Sequence, residues 1–100
     1  MERHNNRRVD PLGKMVLPSA LRRDLDLSEK TQVSLMPVEN AIIMWRLKDE
    51  PSPHCYTSEI DKLGRIEIPA ELMRRFNWSI EDEISIYSAE HLVILTIPYH

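Results

Sequence analysis

Short apolar runs alternate with polar turns along this chain, and the same succession of runs occurs twice. The first begins with a strand at residues 7–10 that enters an Asp-x-Leu-Gly turn, Asp10-Pro11-Leu12-Gly13, where glycine takes φ > 0 without steric cost. A second strand follows at 14–17. Pro18 ends it, because proline cannot donate to a ladder and suits the start of a helix. The spacing predicts a short helix over 19–26, with Leu21 and Leu25 four apart on one face. Two β-rich runs, 32–36 and 41–46, close the unit around a hairpin tip at Glu39-Asn40. The second succession predicts strands at 56–61 and 65–68, a helix over 70–77 carrying Leu72 and Phe76, and strands at 83–87 and 92–97 around Glu90-His91.

Shifting the sequence by 51 superimposes the two without a gap. Val9-Asp10 falls on Ile60-Asp61, Leu12-Gly13-Lys14 on Leu63-Gly64-Arg65, and Pro18 on Pro69. Further along, Leu21 meets Leu72, Arg23 meets Arg74, Ser34 meets Ser85 and Ile43 meets Ile94. The chain has 2 glycines, and they occupy the same slot. The division is therefore a first copy at 7–47, a connector at 48–55 containing Pro51 and Pro53, and a second copy at 56–98. A unit of about 40 residues rarely buries enough surface alone without disulfides or metals. The expectation is one intertwined, pseudo-twofold domain, with exchange within one chain or between chains left open.

Composition narrows the class. The 100 residues are 42% hydrophobic and 29% charged, an ordinary globular mixture. No apolar run approaches the roughly 20 residues of a membrane span, and the start lacks the apolar core of a signal peptide. The predicted setting is cytoplasmic, with no membrane partner. The single cysteine, Cys55, cannot form an intrachain disulfide. Cys55 beside His54 lacks the third, orienting group of a nucleophilic site. His4, His54, His91 and His100 show no metal-ligand spacing, and two glycines cannot build a phosphate loop. Asp10 and Asp61 read as turn acceptors, or as partners of the cations four positions on, rather than catalytic acids. Trp45 and Trp78 fall at the ends of apolar runs and read as packing residues. No enzymatic activity, cofactor or metal is expected.

Charge is distributed unevenly. The net charge is −3. Yet residues 1–23 carry six basic side chains (Arg3, Arg7, Arg8, Lys14, Arg22, Arg23) against Glu2 and Asp10. Residues 51–100 carry four basic against eight acidic side chains. The positive end of the chain is its beginning.

The segment from Arg7 to Leu25 resembles the AbrB/SpoVT group of bacterial DNA-binding domains. Their pattern is a basic strand, Val-Asp-x-x-Gly-Arg, a short strand ending in Ile-Pro, then x-x-Leu-Arg-x-x-Leu. The second copy matches through Asp61, Gly64, Arg65, Ile68, Pro69, Leu72 and Arg74. Two copies in one chain resemble the MraZ arrangement, whereas AbrB and the MazE antitoxins carry one copy and dimerise. The resemblance implies a mainly β fold with short helices, a swapped-hairpin β-barrel built from two tandem ββαββ copies. It implies contacts to double-stranded DNA from Arg7, Arg8, Lys14, Arg22 and Arg23, and from Arg65 and Arg74 with Arg75 as a neighbour. The second copy departs from the pattern, with Ser58-Glu59 in place of Arg7-Arg8 and Met73 in place of Arg22.

Those residue types suit the task, because duplex DNA carries one charge per ~1.7 Å and clustered cations release its condensed counterions. Arginine adds a planar fork for phosphate or guanine. A solvated helix face is the plain alternative for Arg22-Arg23. The expected function is that of a DNA-binding transcriptional regulator, nucleoid-associated in a bacterium, whose chains form a homo-oligomer to offer repeated basic surfaces. The alternative is an antitoxin-like or protein-interaction module of the same fold with a protein partner. The chain is expected to lack the long acidic tail of such antitoxins, ending at Pro98-Tyr99-His100.

Overall fold

In a computed structural model that describes residues 1–98, the elements follow one another as ββαββ and then ββαββ again. They are β1 (Glu2–Arg8), β2 (Lys14–Val16), α1 (Ser19–Asp24), β3 (Gln32–Val38) and β4 (Ala41–Arg46). The second set is β5 (Tyr56–Glu59), β6 (Arg65–Glu67), α2 (Ala70–Phe76), β7 (Glu83–Ala89) and β8 (Leu92–Thr96). Tyr99 and His100 lie outside the described residues, and with them the expectations about the chain end and about His100. The fold is mainly β with two short helices, and its radius of gyration of 12.3 Å is near the ~13 Å of a compact 100-residue body.

All pairings are antiparallel, in a six-stranded sheet of order β1-β7-β8-β4-β3-β5 and a two-stranded ribbon of β2 and β6. The first strand of each copy leaves its own copy. β1 pairs with β7, and β5 pairs with β3. At the centre β4 pairs with β8, where Ile43 lies opposite Ile94, its own counterpart in the repeat. In the ribbon Met15 lies opposite Ile66, again its counterpart. A pseudo-twofold axis therefore passes through both pairs.

The backbone repeats to fine detail. Val9 N–H donates to the Asp82 carbonyl at 3.0 Å as Ile60 N–H donates to that of Thr31 at 2.9 Å. Leu17 N–H reaches Gly64, and Ile68 N–H reaches Gly13, each at 2.9 Å. The residues with left-handed φ also pair across the repeat: Gly13 with Gly64, Asp26 with Asn77, Lys30 with Glu81, Glu39 with Glu90. So do the core residues, including Val9 with Ile60, Leu27 with Trp78, Leu35 with Ile86 and Met44 with Leu95, all in one cluster. Separating the copies would expose that shared face at ~25 cal/mol per Å² of apolar area.

The helices and β1 differ from the sequence expectation at their ends. α1 and α2 both start after a proline with φ near −54° and −53° and no side-chain cap. α1 stops at Asp24 rather than 26 because Asp26 turns left-handed and Leu27 N–H folds back to the Arg22 carbonyl at 2.7 Å. Strand β1 starts at Glu2, five residues before the expected start. Its polar residues have no period-2 signal, but as an edge strand it needs only backbone pairing with β7. An irregularity between His4 and Arg7 interrupts that ladder.

Candidate nucleic-acid interface

At the ribbon, the two Asp-x-Leu-Gly turns deliver four charged side chains to the pseudo-twofold axis. Each aspartate first closes its own turn. Asp10 Oδ1 accepts from the Leu12 and Lys14 amides, and Asp61 Oδ1 from those of Leu63 and Arg65, all at 2.9 Å. The second oxygens face cations. Arg65 Nε donates to Asp61 Oδ2 at 2.8 Å, and Arg65 Nη1 crosses to Asp10 Oδ2 at 3.0 Å. Lys14 Nζ crosses the other way to Asp61 Oδ2 at 3.4 Å. The i,i+4 pairing is thus present in the second copy alone, while Lys14 serves the opposite copy. Partial desolvation pushes the Asp61 carboxyl up, but the Arg65 amide and guanidinium outweigh it and hold it well below the usual range. The Lys14 amide, with Arg65, lowers Asp10 likewise against partial desolvation. The bond to Asp61 raises Arg65. Lys14 and Arg65, two of the expected DNA contacts, are therefore largely neutralised within the protein.

The arginines of the first copy are held differently. Arg22 Nε donates to the Leu17 carbonyl at 3.0 Å, and its guanidinium lies over Gly64, where a Cβ would collide with it. Arg8 Nη1 donates to the Glu81 carbonyl at 3.1 Å and Arg7 Nη1 to that of Asn6 at 3.2 Å. A carbonyl fixes a guanidinium without cancelling its charge. Among the described residues, none of these three makes an ion pair. β1 runs against β2, and Arg22 is anchored one residue past the end of β2, so the basic strand and the basic helix approach the same end of the ribbon.

The remaining candidates are looser. Arg23 is 77% exposed and faces its neighbour Asp24 at 3.8 Å. Arg74 is exposed in the last turn of α2, and Arg75 lies 5.9 Å from the Phe76 ring centroid.

The other end of the ribbon carries opposite charge. A cleft of about 500 Å³ there is lined by Lys14, Ser58, Glu59, Asp61 and Glu67 among others. Ser58 Oγ accepts from the Glu67 amide at 3.1 Å, tying β5 to β6. Sequence reasoning marked Ser58-Glu59 as a departure but missed Glu67 and the crosswise pairs. The signal for Glu67 was its alignment with Val16.

No protein-family model and no curated protein matches the chain. Among solved structures it is similar to the solution structure of PHS018 from Pyrococcus horikoshii, over 100% of both chains, with a TM-score of 0.57 and 15% identity. That likeness concerns the fold.

Proposed function

We propose that this chain is a duplex-DNA-binding transcriptional regulator of the AbrB/SpoVT type, its two copies closing into a swapped-hairpin barrel. What supports the barrel is the exchange of β1 and β5 between copies, together with the β2–β6 ribbon that lies against both of those edge strands. The observation that carries the DNA reading is the fixing of Arg7, Arg8 and Arg22 by backbone carbonyls alone. Such cations are pre-positioned yet electrically free, the condition under which phosphate contact releases counterions. Arg7, Arg8, Arg22 and Arg23 are the principal contacts in this reading. Lys14 and Arg65 brace the ribbon, and Arg74 and Arg75 extend the surface.

Titration of a random-sequence duplex at several salt concentrations tests this. Replacing Arg22 and Arg23 by alanine lowers the slope of log K against log salt by about 2, at roughly 0.9 per phosphate contact. Lys14→Ala changes it by less. Unchanged affinity of the double variant at every salt concentration rejects the assignment. The acidic cleft beside Glu59 and Glu67 favours a second reading, docking of a basic protein partner. A stoichiometric partner that co-purifies with the chain, and is lost in Glu59→Lys, would select it.

A further inference from the structure

The two turn tips carry the same exposed leucine into opposite surroundings. Leu12 is 67% exposed and Leu63 57%, each at the third position of its Asp-x-Leu-Gly turn and outside the core cluster. Single exposed leucines are ordinary on protein surfaces, but the setting of Leu63 is not. The ribbon is antiparallel, so each turn lies where the other copy's strand ends. Leu17 N–H binds the Gly64 carbonyl, and Ile68 N–H binds that of Gly13. Leu63 therefore stands beside the end of β2, where the Arg22 guanidinium covers Gly64 and where Arg7 and Arg8 approach along β1. Its neighbour Lys62 is exposed and, among the described residues, makes no ion pair. Val16, opposite Arg65, is a second exposed apolar side chain at this end. Leu12 stands instead beside the end of β6, where Glu67 lies opposite Lys14 and near Ser58 and Glu59. Each copy thus lends its tip to the other's surface, and the basic surface receives Leu63.

We infer that Leu63 is a base-reading residue, whose side chain, with Val16 beside it, meets thymine methyl groups in the major groove while the cations around it hold phosphates. This rests on the DNA reading above and gives it a sequence-sensitive element. The C5-methyl of thymine is the apolar group that base edges offer in the major groove. That groove, about 12 Å wide, admits a two-stranded ribbon with strands ~4.8 Å apart, whereas the minor groove is only about 6 Å wide. Two side chains are also too little apolar surface for a protein partner, since a standard interface takes roughly 800 Å² from each side. The tip is fixed before it meets DNA. Leu63 N–H donates to Asp61 Oδ1 at 2.9 Å, and Gly64 N–H donates to the Asp61 carbonyl at 3.0 Å. A turn held in this way loses little further freedom on binding.

An alternating adenine–thymine duplex and its uracil counterpart differ by the thymine methyls alone, and titration of the chain with both provides the test. The parent binds the thymine duplex about fourfold more tightly, the worth of one buried methyl-sized group. Leu63→Ala abolishes that preference without changing the slope of log K against log salt, and Leu63→Met retains it. Leu12→Ala, the matched change at the acidic end, also retains it. Both leucines are exposed, and the Leu12 variant controls for any loosening of a turn. Equal affinity of the parent for the two duplexes overturns the inference. So does a preference that survives Leu63→Ala, or one that Leu12→Ala removes equally. Salt-dependent binding that is blind to the methyls, yet weakened by Arg22→Ala with Arg23→Ala, leaves the arginine reading standing and removes this one alone. A parent that binds neither duplex overturns both.

Discussion

Arg7 and Arg8 at the β1 edge stand where Ser58 and Glu59 stand at the β5 edge, and Arg22 stands where Met73 packs partly buried against the core. Backbone turns, left-handed residues and core positions recur in both copies, so these differences arise almost wholly at the surface. The difference separates two physical requirements. Hydrogen bonding and burial hold both halves to one frame, because each supplies strands to the other's sheet. Surface charge carries no such obligation, and the first copy is basic where the second is acidic.

The glycine slots test the frame most severely. Gly13 and Gly64 both have φ near +78°, but the Arg22 guanidinium covers Gly64 alone. Gly13→Ala should cost the ~1–2 kcal/mol of a left-handed side chain. Gly64→Ala should cost about 1 kcal/mol more, because Arg22 must leave the Leu17 carbonyl. Adding Arg22→Ala removes that excess, and denaturant midpoints of Gly13→Ala, Gly64→Ala, Arg22→Ala and the Gly64→Ala/Arg22→Ala double variant form the test. Equal losses at the two glycines would mean that Arg22 has no fixed seat.

A smaller effect concerns the charge exchange itself. Writing the first edge onto the second, with Ser58→Arg and Glu59→Arg, should tighten duplex binding about tenfold at moderate salt, or ~1.4 kcal/mol, and steepen the salt slope. A titration that leaves both unchanged would show that the β5 edge never approaches DNA.

The smallest effect is acid sensitivity. Both aspartates have folded-state values below the ordinary 3.8. The unfolded chain therefore binds more protons in that window. The stability they supply is complete above about pH 5 and declines as pH falls through the ordinary value toward the depressed folded values. Asp61 faces both Lys14 and Arg65 whereas Asp10 faces Arg65 alone, so Asp61→Asn should flatten the acid limb more than Asp10→Asn. Urea midpoints below about pH 5 measure the difference.

Much of the element order was legible because the 51-residue repeat let weak signals reinforce each other. The strand at Ala41–Arg46 and the proline-led helix starts follow from local chemistry. Most of β1 was not legible, since Glu-Arg-His-Asn-Asn has neither period nor β propensity, and its strand character comes from β7. The arginines stood out by type and spacing. Their states did not, because Lys14 and Asp61 are far apart in the chain and meet only once the ribbon forms.

The exchange of β1 and β5 also constrains the order of events during synthesis. Glu2 pairs with Ser88, and β4 pairs with β8, so a nascent chain that has just released its first copy has no template for either edge. Closing such distant pairs is slow and leaves β4 uncovered meanwhile. The polar, irregular β1 is suited to that wait. It offers an emerging ribosomal neighbour little apolar surface to seize before the final strands arrive.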